Sequence, residues 1–169
     1  GVWVHPYDDP LIMAGQGTAA LELFDEVGAL DALIAPVGGG GLIGGSSIAA
    51  HALDPAVALY AAEPSGAADA FESLRRGARV TDIIPDTICD GLRATVGEIN
   101  LALLRRHAVQ VLPVDDTATI AAMKLLWQRL KQLVEPSSAT VLAAVLANPQ
   151  RFAGRRVGVI LSGGNVDPS

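Results

Sequence analysis

Cysteine is almost absent from this chain. Cys89 stands alone and beside no obvious base, so it reads as a packed small residue; an intrachain disulfide framework is excluded, and a cytoplasmic setting is expected. Aromatic residues make up 4% of the sequence, no basic run occurs and the net charge is −6. Base stacking and phosphate-backbone binding therefore lack their residues, and no nucleic-acid partner is expected. No stretch approaches about 18 apolar residues and no signal-peptide pattern opens the chain, so no membrane partner is expected either. His5, His51 and His107 have no metal-ligand spacing; His51 and His107 fall near predicted helix C-termini, where a cation is favourable, and structural roles are expected. Lysine is scarce as well, confined to Lys124 and Lys131. What is abundant is apolar: half of the 169 residues are hydrophobic, ample for one well-packed domain that binds a small molecule.

The densest signal is Ala32-Leu33-Ile34-Ala35-Pro36-Val37 running into Gly38-Gly39-Gly40-Gly41 and then into an apolar helix. Consecutive glycines expose backbone N–H groups with no side chain in the way, and a helix starting just after them adds its positive end. Such a loop is built to hold a phosphate.

Strands are predicted at 32–37, 57–62, 109–114 and 156–161, and the opening Gly1-Val2-Trp3-Val4 reads as a strand already under way. Helices are predicted at 18–27, 43–53, 67–76, 99–107 and 139–146, with 77–93 a long irregular passage. A further helix, N-capped by Asp115 or Asp116, carries Ile120, Met123, Trp127, Leu130 and Val134 as one buried stripe and both lysines on its polar side. The alternation predicts an α/β fold, a parallel sheet with helices on both faces. The glycines, Glu63 and Ser162 each follow a strand, and ligands of such sheets bind outside the carboxyl ends of the strands.

Taken alone, the loop admits two cofactors. Gly39-Gly40-Gly41-Leu42-Ile43-Gly44 satisfies G-x-G-x-x-G, and Glu63 ends the next strand where a dinucleotide fold places its ribose-binding acid. Other phosphate ligands remain open on the same spacing.

Several short motifs lie along the whole chain: His5-Pro6-Tyr7-Asp8-Asp9-Pro10, Ala14-Gly15-Gln16-Gly17-Thr18, Pro36 to Leu42, Ala62-Glu63-Pro64, Asp90-Gly91-Leu92, Glu135-Pro136-Ser137 and Leu161-Ser162-Gly163-Gly164-Asn165-Val166-Asp167. In that order they resemble the C-terminal half of the pyridoxal-phosphate enzymes of fold type II, the serine/threonine dehydratase and serine racemase group. The resemblance implies that Gly38, Gly39, Gly40, Gly41 and Leu42 hold the cofactor's 5′-phosphate, that Ser162 faces the pyridine nitrogen, that Gly91 lies beside the cofactor and that Tyr7 flanks it. It places Ala94 where some members carry a hydroxyl. It further implies a divalent cation, Mg²⁺, Mn²⁺ or Ca²⁺, held by Glu63, the carbonyl of Ala67 and Asp69; the alternative for these acids is a solvated loop with Asp69 opening a helix. Glu135 either tunes the cofactor environment or pairs with a cation.

The same resemblance implies a Schiff-base lysine in a preceding half. Neither Lys124 nor Lys131 lies in such a motif, so the chain contains no catalytic residue of its own and is expected to be inactive alone. The expectation is thus a homodimeric dehydratase of roughly twice this length, which converts a 3-hydroxy amino acid such as serine, threonine or 3-hydroxyaspartate to a 2-oxo acid and ammonia. Serine racemisation, a non-catalytic cofactor-binding regulatory module and a dinucleotide domain stand as alternatives.

Overall fold

The computed structural model describes residues 1–167. In chain order it runs α1 (Pro10–Val27), β1 (Ala32–Pro36), α2 (Gly41–Leu53), β2 (Ala58–Pro64), α3 (Asp69–Arg76), α4 (Glu98–Arg106), β3 (Gln110–Val114), α5 (Asp116–Leu130), α6 (Pro136–Ala147), α7 (Pro149–Phe152) and β4 (Val157–Val159). The strands form one sheet in the order β3-β2-β1-β4, with every neighbouring pair parallel.

The sheet is covered on both faces, and the period-2 pleat sorts its side chains between them. Leu33, Ala35, Leu59, Ala61 and Val111 pack in a core with Ala20 and Phe24 of α1, Ile43 and Ala50 of α2 and Leu104 of α4. Ala32, Ile34, Tyr60, Ala62 and Leu112 face the other way, against Ala122 and Leu126 of α5, Val141 and Ala144 of α6 and Phe152 of α7. Leu33 and Ile34 are both fully buried, and each side chain removed from water in this way contributes about 2–3 kcal/mol.

Several boundaries differ from the expectation. Residues 1–5 form no strand, and Val2 and Trp3 are 93% and 78% exposed. Helix α1 begins at Pro10, eight positions ahead of the predicted start, with Pro in its first turn and the Asp9 carboxylate accepting from Leu11 N and Ile12 N. Gly15 and Gly17 mask that first half in sequence, yet Gly17 lets α1 cross α2 closely: a Cβ there would sit 2.8 Å from the carbonyl oxygen of Gly45. Asp115 does cap α5 through Ala118 N, but the buried edge is Thr119, Ala122 and Leu126, one position off the predicted stripe. Small residues at that edge let α6 approach; Ile120, Met123 and Trp127 lie half-buried at the margin, Leu130 is 59% exposed, and Val134 is buried beyond the helix end. Helix α3 starts at Asp69 rather than 67, and α6 at Pro136 rather than 139.

His51 and His107 meet at the edge of the sheet remote from the glycine loop, with Nδ1 atoms 2.9 Å apart. His51 Nε2 lies 3.2 Å from the Val57 carbonyl, which can only accept. His51 therefore carries its proton on Nε2 and offers Nδ1 as acceptor to the Nδ1–H of His107. Partial burial, with the charges of His51 and Arg106 beside it, holds His107 below the usual imidazole range. A histidine whose folded pKa is depressed contributes stability above its unfolded pKa and loses it as pH falls through that value. Thermal melts should thus fall more steeply between about pH 7.5 and pH 5.5 in the wild type than in His107→Gln.

Candidate cofactor site

The chain leaves β1 at Pro36, donates Val37 N to Ala62 O of β2, and passes through the glycines before entering α2. Gly40 adopts φ 93°, a left-handed conformation that reverses the chain into the helix; a Cβ there would lie 2.8 Å from Asn100 Cβ. Gly38, Gly40 and Gly41 are buried, while Gly39 and Leu42 are half-buried. Among the described residues no acceptor faces the N–H groups of Gly38, Gly39, Gly40, Gly41 or Leu42. A run of unpaired, largely buried donors at a helix N-terminus is the signature of an anion site, since each would otherwise carry a desolvation cost.

These donors open onto a cleft of about 270 Å³ at the C-terminal edge of the sheet, lined by Gly38 to Leu42, Tyr7, Gly91, Ala94 and Ser162. All the predicted cofactor contacts thus converge on one cleft. A larger hollow of about 750 Å³ among Leu21, Phe24, Asp25 and Leu53 is a shallow surface feature containing none of them. The Tyr7 ring lies flat against the Gly39 Cα, where any Cβ would strike it. Gly91 sits in a short 3₁₀ turn, its N–H donating to Ser137 Oγ at 3.0 Å and to Asp90 Oδ1 at 2.9 Å. A side chain at Gly91 would collide with that serine hydroxyl, 3.0 Å away.

Ser162 lies just past β4, in a segment held from beneath by Glu135. The Glu135 N–H donates to Gly163 O at 3.1 Å and its carboxylate accepts from Asn165 N at 2.8 Å. Glu135 therefore braces the Ser162 turn; no cationic side chain pairs with it among the described residues. Lys124 and Lys131 are exposed on and just past α5, Lys131 donating to the Gln128 carbonyl, and neither lines the cleft. Burial pushes the Cys89 thiol up to about 11, which leaves it an inert packing residue.

Glu63, at the end of β2, is fully buried and accepts from Ala70 N and Phe71 N at 2.8 and 2.9 Å. This removes the solvated loop, although Asp69 does open α3 as that alternative had it, and it also removes the ribose-binding role, because the carboxylate points into the first turn of α3 and away from the cleft. Asp69, 3% exposed, accepts from Val96 N at 2.7 Å. Burial pushes Glu63 up to about 8, with the charge of Asp69 adding to the rise, and burial raises Asp69 too. Arg79 lowers Asp69 only weakly, since its guanidinium donates to the Val96 carbonyl. Paired buried carboxylates beside the turn that carries Ala67 form an all-oxygen donor set of the kind hard divalent cations take. No group of three or more His, Cys, Asp or Glu side chains gathers among the described residues, so a cation would need the Ala67 carbonyl and waters to complete its shell.

Sequence reasoning passed over Asp8, Asn100 and Ser137. Asp8 accepts from Glu98 N and Ile99 N, capping α4 from far along the chain, and Asn100 spans α4 and the glycine loop. The only local signal is an asparagine between two apolar residues, Ile99-Asn100-Leu101.

Known proteins resemble this chain along nearly its whole length. A family model described as pyridoxal-phosphate dependent enzyme matches residues 1–163. The β-hydroxyaspartate dehydratase of Paracoccus denitrificans (strain Pd 1222) is 45% identical over 167 residues, 99% of this chain and 53% of that protein. Serine racemase of Dictyostelium discoideum is 46% identical over 172 residues, 98% of this chain and 52% of the relative. The maize serine racemase structure superposes with a TM-score of 0.95 at 41% identity, over 99% of this chain and 53% of that one. The chain therefore spans about half the length of the relatives it matches.

Proposed function

The chain belongs to the pyridoxal-phosphate dependent enzyme family, and on that premise we propose that it supplies the phosphate- and ring-nitrogen-binding part of the large domain of a longer ammonia-lyase acting on a 3-hydroxy amino acid. One observation carries the proposal: the unpaired N–H groups of Gly38 to Leu42 open onto the cleft that also holds Tyr7, Gly91 and Ser162. The dehydratase relative supports the reaction class.

When bound, the cofactor supplies an electron sink for the substrate's Cα. The chain's own residues set the terms. The N–H groups of Gly38, Gly39, Gly40, Gly41 and Leu42 would bind the phosphate dianion without a lysine or arginine, using partial charges fixed in place before the ligand arrives. Gly91 leaves room for the ring, and Tyr7 closes the side beside Gly39 and Gly41, at the start of α2. Ser162 would meet the ring nitrogen as a neutral hydroxyl, which does not hold a proton there as a carboxylate would; loss of the Cα proton and of a β-hydroxyl is favoured over chemistry that needs a stronger sink. Glu63, Ala67 and Asp69 would bind Mg²⁺, Mn²⁺ or Ca²⁺ away from the reacting atoms, as a brace between β2 and α3. The Schiff-base lysine and the substrate-carboxylate contacts are assigned to the part of the polypeptide outside this chain. A homodimer in the cytoplasm completes the proposal, in keeping with the lone buried Cys89.

The serine racemase relative favours a second reading, because racemisation shares the first proton transfer. Incubating the full-length protein with pyridoxal phosphate and L-serine, L-threonine or 3-hydroxyaspartate separates the two. Equimolar ammonia and 2-oxo acid are expected; products that all retain their amino group would reject the ammonia-lyase and leave the racemase.

A further inference from the structure

Asn100 has no place in the reading above, yet it is fully buried beneath the glycine loop. Its Nδ2 donates to the Gly39 carbonyl at 3.0 Å and to the Tyr7 carbonyl at 2.9 Å. The Gly39 carbonyl also accepts from Gly97 N at 3.0 Å. In a trans peptide the carbonyl and the following N–H point in opposite directions. Donors from the start of α4 thus hold the Gly39 carbonyl toward that helix, and the N–H of Gly40 is turned the other way, into the cleft.

The orientation of Asn100 is itself determined. Reversing its amide would set Oδ1 against the carbonyl oxygens of Gly39 and Tyr7, so the oxygen faces α2 instead, 2.6 Å from where a Cβ on Gly44 would stand, and finds no partner. A buried amide that leaves its oxygen unpaired forgoes a hydrogen bond to keep its donors where they are. Behind it, the Asp8 carboxylate accepts from Asn100 N at 3.3 Å as well as from Glu98 N and Ile99 N, so the turn that carries Asn100 is clamped to the Tyr7 segment.

We propose that Asn100 is the positioning residue of the phosphate site: it aims the Gly40 N–H at the cofactor phosphate by fixing the Gly39 peptide, and it ties Tyr7 to the same loop. The proposal rests on the cofactor reading given above. Asn100→Asp keeps the side-chain shape and exchanges donor for acceptor, while Asn100→Ala removes both. In the full-length protein each is expected to raise the dissociation constant for pyridoxal phosphate about tenfold or more, the worth of one to two lost hydrogen bonds. The melting temperature without cofactor should stay within about 5 °C of the wild type for Asn100→Ala, the change set by one buried amide. Wild-type affinity in both variants would overturn the proposal and leave the cofactor reading intact; a wild-type protein that binds no pyridoxal phosphate would overturn both. Selective ¹⁵N-asparagine labelling of the wild type tests the same point without a variant. The Asn100 side-chain protons are expected to be protected from solvent exchange and to shift when the cofactor binds, and free exchange with no shift would contradict the assignment.

Discussion

Replacing Gly40 with alanine is expected to lower the affinity for pyridoxal phosphate by about 100-fold, a cost near 2.7 kcal/mol, and to abolish turnover at ordinary cofactor concentrations. Gly40 holds φ 93°, and a Cβ would lie 2.8 Å from Asn100 Cβ and 3.3 Å from Val96 Cγ2. Relief requires the peptides on either side to rotate, which turns the N–H groups of Gly40 and Gly41 out of the cleft. Gly28→Ala is the control. Gly28 has φ 74° and ψ −149°, a conformation essentially confined to glycine, but nothing within 4 Å of its would-be Cβ, so that variant bears only backbone strain of about 1–3 kcal/mol and should bind the cofactor as the wild type does. Equal losses in the two variants would mean that Gly40 acts through stability and not through the loop.

The second large effect concerns the buried carboxylates. With no cation bound, Glu63 keeps its proton up to about pH 8 in the folded state, while the unfolded chain releases it near 4.5. The folded state therefore holds more protons across that window, and stability falls as pH rises through it, by a total on the order of 5 kcal/mol. A divalent cation replaces the proton and removes the loss. Melting temperatures measured in chelator should decline from about pH 5.5 to pH 8.5, and millimolar Mg²⁺ or Mn²⁺ should restore them mainly at the alkaline end. Glu63→Gln should flatten the decline and abolish the metal response. Curves that coincide with and without chelator at every pH would reject the cation.

The features that the sequence revealed are those whose cause is local. The glycine run, the apolar strands and the Asp115 cap each depend on neighbours within a few residues, and each stands where expected to within a residue or two. The Glu63 carboxylate has three sequence readings, ribose-binding acid, cation ligand and solvated acid, because spacing says nothing of direction; only the fold turns it into α3. The first half of α1 was hidden because Gly15 and Gly17 lower helix propensity, and what outweighs that is the close crossing with Gly45 of α2. The buried edge of α5 missed by one position because helix rotation is set by α6, whose small residues accept Ala122 more readily than Met123 or Trp127; Trp127 stays at the margin and donates to the Val134 carbonyl at 3.1 Å. Asp8 and Asn100 act on partners tens of residues away, through contacts that periodicity does not encode.

The phosphate is what the loop is built to recognise, so the most direct measurement compares pyridoxal 5′-phosphate with pyridoxal, which lacks only that group. Titration of the full-length protein with each, followed by absorbance, should show pyridoxal phosphate binding at least about 100-fold more tightly, because several charge-assisted hydrogen bonds are lost with the phosphate. Equal affinity for the two would contradict the assignment of Gly38 to Leu42 as the phosphate site.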